Sequence, residues 1–266
     1  MLAQFTATAL KRDRTIALAS LAVITVLAWV YTIQLTAGMM GMDANNMEQM
    51  SMPVTKTWQT VDVLLTFLMW AVMMVAMMTP SATPMVLTFV GIKRQRQPDQ
   101  ASIPGTMIFL FGYLIAWSLF SAAATLVQWG LHAVTLLSDE MISVSNLFSG
   151  MLLIFAGIYQ FTPLKNMCLS HCRTPLGFLM NEWQDGISGA LRMGVRHGIY
   201  CVGCCWLLMA ILFVAGVMNL LWSAVIAGIV IIEKVMPIPA GEWISRVIGL
   251  FVIGWGVWLL VQSTGI

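Results

Sequence analysis

Charge is what this sequence has least of. Lys, Arg, Asp and Glu make up 9% of its 266 residues, whereas a soluble domain carries about 25%. So few polar side chains cannot cover a folded surface that faces water, which excludes an ordinary soluble domain. The net charge of +2 is too small to support nucleic acid as a partner. Cysteine is absent before residue 168 and after residue 205, and the five present are an odd number. A disulfide framework would spread its cysteines along the chain and pair them. The paired spacing of a zinc finger is missing, as is an internal repeat of the kind that builds symmetric transporters. No acid–base pair stands beside the cysteines to name a reaction, so a non-enzymatic role is the first expectation.

Long apolar runs are abundant. Hydrophobic residues make up 59% of the chain, at a mean hydropathy of +0.87. Stretches long enough to cross a bilayer, about 20 residues each, recur from end to end. They predict an all-α, polytopic helical membrane protein with about seven transmembrane helices in one domain over residues 1–266. The expected spans are 15–37, 58–92, 103–137, 146–164, 197–217, 219–232 and 244–261. The first exceeds a secretory h-region of about 7–15 residues and reads as a retained span. Pro80 and Pro84 predict a break in the second, since each removes a backbone donor from the helix. With the N-terminus inside, 12 of the 13 Lys and Arg, Lys165 and Lys234 among them, fall on one side and only Lys56 on the other. That bias predicts a multi-pass protein with a cytoplasmic N-terminus.

One stretch stands out chemically. His197, Cys201, Cys204 and Cys205 occupy offsets of zero, four, seven and eight, one face of a helix. Imidazole and thiolate are donors for soft or borderline metals, and polar side chains inside a span are costly without a partner. Cys168 and Cys172, one helical turn apart, lie in the preceding cytoplasmic connection, residues 165–196, with His171 between them as a secondary candidate. The two stretches are expected to converge at the inner membrane face, where glutathione keeps thiols reduced. Plain packing is the competing reading, because a free Cys is also a common small buried hydrophobe.

Methionine supplies a second set of soft donors. Met69, Met73 and Met77 form a stripe four residues apart, accompanied by Met74 and Met78. An external polar loop, residues 38–57, carries Met39, Met40, Met42, Met47, Met50 and Met52. Thioether can bind Cu(I) without placing a charge in the membrane, though Met is equally an adaptable core filler. The pair Glu233 and Lys234 reads as a self-paired interfacial couple at the end of the sixth span.

The residues from Met69 to Pro80, from Tyr159 to Lys165 with Cys168 and Cys172, from Leu191 to Trp206, and Glu233-Lys234 resemble a bacterial family of integral membrane proteins credited with metal binding and given no reaction. The run His-Gly-Ile-Tyr-Cys-Val-Gly-Cys-Cys-Trp is its most specific feature. The resemblance implies a metal-linked role for Cys168, Cys172, His197, Cys201, Cys204 and Cys205. The Met-rich loop lies outside it. Cu(I) is the expected ion, with zinc as the alternative. Uptake or transfer of Cu(I) across the inner membrane is the leading functional expectation, with a soluble metallochaperone or a membrane complex as partner. The alternatives are a membrane thiol redox protein or enzyme, and an assembly factor of a membrane complex.

Overall fold

The computed structural model describes residues 2–46, 58–97, 102–134 and 145–264. They form ten α-helices, with no strand among the described residues: α1 (Leu2–Asn46), α2 (Thr60–Arg96), α3 (Ser102–Ala133), α4 (Asn146–Tyr159), α5 (Pro163–Arg173), α6 (Pro175–Glu182), α7 (Gly186–Ala210), α8 (Leu212–Ala215), α9 (Leu220–Val235) and α10 (Ile238–Thr264).

The helix starts are written locally. Asp62 in the first turn of α2 accepts from the Gln59 backbone at 2.9 Å, and Lys93, Arg94 and Arg96 occupy its last turn, where the helix dipole favours cations. Ser145 caps α4 by accepting from Phe148 N, Asn219 caps α9 by accepting from Leu221 N and Trp222 N, and Thr162 caps α5 ahead of Pro163. Gly216, at φ +94, ends α8 in a conformation that a side chain would strain.

Among the described residues, five helical stretches are long and apolar enough to cross a membrane: Thr8–Gly38, Thr60–Arg96, Ser102–Ala133, Gly186–Ala215 and Pro239–Ser263. A sixth arises if α4 and α5, bent by 62° at their junction, count as one span. The expected seven are not reached, because α9 has only 16 residues, about 24 Å at 1.5 Å per residue, against roughly 30 Å of hydrocarbon. The expected break in α2 is also absent, and one helix runs through Pro80 and Pro84. Nearby hydroxyls take up carbonyls along this stretch, Ser81 Oγ donating to Met78 O at 2.8 Å and Thr88 Oγ1 to Pro84 O at 2.7 Å. The polar loop expected from residue 38 begins later, since α1 continues to Asn46. The connection expected over 165–196 is helical as well, made of α5, α6 and the first turns of α7.

Glycine sets the two closest helix pairs. A Cβ at Gly112, Gly194 or Gly198 would overlap the facing helix where α3 meets α7. Where α4 meets α10, Gly150 and Gly157 face Gly256 and Gly249 in the same way. Small residues at such crossings let backbones approach and gain dispersion contacts, the usual packing of helices without water. α1 lies on α2 and is tied there by Asp13, whose carboxylate accepts from Arg94 and Ser102.

Candidate metal centre

The approach of α7 to α3 sets Cys201 against Tyr113, which links it to the middle of α2. Tyr113 from α3 donates its hydroxyl to Met78 O at 3.0 Å, and the Tyr113 hydroxyl oxygen lies 3.3 Å from Cys201 Sγ. Lys234, near the end of α9, reaches the same place. Its amine is 2.8 Å from Cys201 Sγ and donates to Ser81 Oγ at 2.9 Å.

The 62° bend after α4 delivers α5 to the opposite flank of α7. Lys165, Cys168 and Cys172 lie at offsets of zero, three and seven, so they share the buried face of α5. Cys168 Sγ rests over Gly203, where an added Cβ would come within 2.9 Å of the sulfur. The Cys172 thiol lies in the neighbourhood of Cys201 and Cys204. All five cysteines are free and buried. The two expected stretches therefore meet, and their thiols are grouped rather than scattered singly among aliphatic neighbours.

The grouping is not a finished coordination shell. Among the described residues, no three His, Cys, Asp or Glu side chains are set to hold an ion as they stand. Cys204 and Cys205 both turn their thiols back onto Cys201 O, at 3.1 and 2.9 Å. His197 stacks between Phe109 and Tyr113, near Phe178. It is 2% exposed, and neither ring nitrogen has a hydrogen-bond partner. Such an orphaned buried imidazole is costly unless something else satisfies it.

Other candidates are placed elsewhere. His171 stacks on Tyr200 with ring centroids 4.2 Å apart, and its Nδ1 meets Met167 O at 2.8 Å, away from the thiols. Met69, Met73 and Met77 are buried with Met74 and Met78 in the core around α2. Met73 Sδ accepts from Ser223 at 3.9 Å, and Met78 Sδ from Ser81 at the same distance. Met39, Met40 and Met42 fall on the continued α1, while Met47, Met50 and Met52 lie outside the described residues.

Two expectations change. The thiols were expected at one end of the bundle, yet Met78, beside Cys201, is 16 residues from Asp62 and 15 from Lys93 on α2. That is about 24 and 22 Å, the midpoint between the charged ends of the helix. Glu233 and Lys234 do not pair with each other. Glu233 holds Lys165 at 2.7 and 2.9 Å and accepts from Ser245 at 2.8 Å, while Lys234 turns the other way. Sequence reasoning assigned Lys165 and Lys234 to a polar membrane face, but both are buried inside the bundle. The signal that marked them was available, since an ionisable residue inside an apolar run is a functional candidate by default. Tyr113 and Ser81 carried no such mark.

Fold and centre together define an all-helical protein, with five or six helices apolar enough to cross a membrane and a buried group of thiols at its middle. A family model described as PpoB2, copper chaperone, matches residues 67–259, the part of the chain that holds every residue of the centre. The chain belongs to that family, and copper handling is its business. No curated protein and no solved structure matches it.

Proposed function

We propose that the chain lies in a bacterial inner membrane, with its N-terminus in the cytoplasm, and passes Cu(I) inward to a partner. The observation that carries this reading is the meeting of Cys172 on α5 with Cys201 and Cys204 on α7, all free and buried. Thiols brought together from two helices and left unoxidised suit a cargo that binds sulfur.

The thioethers of α2 give the cargo an approach. Met69, Met73 and Met77 descend from the Asp62 end of the helix toward Met78. Met78 adjoins Ser81, Ser81 adjoins Lys234, and Lys234 adjoins Cys201. Thioether binds Cu(I) weakly and without charge, and thiolate binds it more tightly, so a step from α2 to α7 runs downhill. Loading needs side-chain rotation and release of the thiol protons to the surrounding water, since the thiolate is the ligand form. Cys204 leaves the Cys201 carbonyl, and each such thiol contact is a weak hydrogen bond. The imidazole of His197, one turn from Cys201, is the neutral donor on the side toward the basic end of α2. Cys168 and Cys205 complete the donor set, and zinc is the competing ion.

The test is copper accumulation in cells. Replacing Cys201, Cys204 and Cys205 together with Ser should lower Cu(I) uptake to that of cells without the protein. Equal uptake with and without the three thiols would sink the transfer reading. Elemental analysis of the detergent-purified protein identifies the ion, with a Cys168→Ser and Cys204→Ser double variant as the control.

A further inference from the structure

We propose that Lys234 is the built-in counter-ion of the thiol group and makes the centre selective for a monovalent ion. The inference rests on the Cu(I) reading above.

Lys234 is 7% exposed and sits on the helix that is too short to cross the bundle. Its amine bonds Ser81 Oγ at 2.9 Å and Cys201 Sγ at 2.8 Å, with the Tyr113 hydroxyl on the same sulfur. The neighbouring carboxylate, Glu233, is already committed to Lys165 and Ser245. The ammonium therefore has sulfur as its charged partner, and it stands at the midpoint of α2, where uncompensated charge is most costly in a bilayer.

Charge arithmetic then distinguishes cargoes. Two thiolates, Cys201 with Cys172 or Cys204, their protons passed to the buffer on loading, contribute two negative charges, the other cysteines remain neutral thiols, and Lys234 contributes one positive. A monovalent ion brings the sum to zero. A divalent ion leaves one positive charge stranded in the apolar core. Without Lys234 the preference reverses, because two thiolates alone neutralise a divalent ion and leave a monovalent complex negative. His197, as a neutral donor, does not alter either sum. Lys234 acts through Cys201 and is a positioning and selectivity residue rather than a metal ligand.

The experiment titrates the full-length protein in detergent, anaerobically and under reducing conditions, with Cu(I) and separately with Zn(II), against competing chelators. Wild type, Lys234→Met, Lys234→Arg and Cys201→Ser are compared after size exclusion confirms a folded species. Lys234→Met should weaken Cu(I) binding by about a hundredfold, the scale for stranding one partner of a buried charge pair. It should leave Zn(II) binding unchanged or tighter. Lys234→Arg, which keeps the charge, should keep the preference for Cu(I), and it stands as the test if Lys234→Met does not fold. Equal weakening toward both ions, or undiminished Cu(I) binding in Lys234→Met, overturns the counter-ion role, as does loss of the preference in Lys234→Arg. Cys201→Ser reports separately. If it binds Cu(I) as wild type does, the thiol reading itself fails, whatever Lys234 does.

Discussion

The last turn of α9 holds two consecutive charged residues that face opposite ways into two unlike surroundings. Glu233 meets Lys165, and Ser245 and Gln160 fill the remaining hydrogen-bonding positions. Arg173 donates to the Glu233 backbone at 2.7 Å. That region ties α5, α9 and α10 together, and the Lys165–Glu233 pair is closed within the protein. Lys234 meets a sulfur and a hydroxyl, beside Cys204 and Cys205, whose thiols are turned onto a backbone carbonyl. Both regions bury a lysine, but the first is complete and the second is not. A completed pair is a clamp, whereas an incomplete one is a place for something to bind.

That contrast breaks first on the side of the clamp. Glu233→Gln leaves Lys165 buried without its counter-charge and should destabilise the protein by about 3–5 kcal/mol, measured by thermal unfolding in detergent. Replacing Lys165 and Glu233 together with Met should recover most of that loss, since exchanging a whole buried pair for apolar residues is often nearly neutral. If Glu233→Gln unfolds no more readily than wild type, the region is not a clamp.

The thiol region should respond in the opposite sense, with function lost and the fold kept. His197→Phe fills the same aromatic slot and removes two unpartnered nitrogens, so stability should hold or rise. Cu(I) affinity should fall about tenfold, the lower end for losing a group that supports a metal site. Changing Met69, Met73 and Met77 together to Leu conserves volume and should cost under about 1.5 kcal/mol for each residue, while slowing copper uptake. Unaltered uptake would leave these thioethers as core packing alone. The smallest effect belongs to His171→Ala, which should leave Cu(I) affinity within about twofold because its ring is spent on Tyr200 and the Met167 carbonyl.

Helix content and apolar character were legible in the sequence because composition and hydropathy are sums over many residues. The shared buried face of α7 was legible because the periodicity of one helix is local, and His197, Cys201, Cys204 and Cys205 fall on it by spacing alone. The details that failed depend on distant partners. The continuity of α2 depends on small adjustments, Ser81 and Thr88 supplying donors near two prolines that otherwise predict a break. The depth of the thiols depends on the length of α9 and on where α7 crosses α3, which Gly112 and Gly194 decide from positions 82 residues apart. The split between Glu233 and Lys234 depends on Lys165, 68 residues away. No window along the chain contains both members of such pairs.

The elbow between α4 and α5 gives the thiols a mechanical address. Cys172 lies nine residues beyond Pro163, at the tip of an arm about 14 Å long. Swinging that arm by about 10° would carry its sulfur through about 2.4 Å, enough to part it from Cys201 and Cys204. Lys165 near the base of the arm and Arg173 at its tip both hold Glu233, so the angle at which the thiols meet is fixed by the clamp rather than left to the elbow.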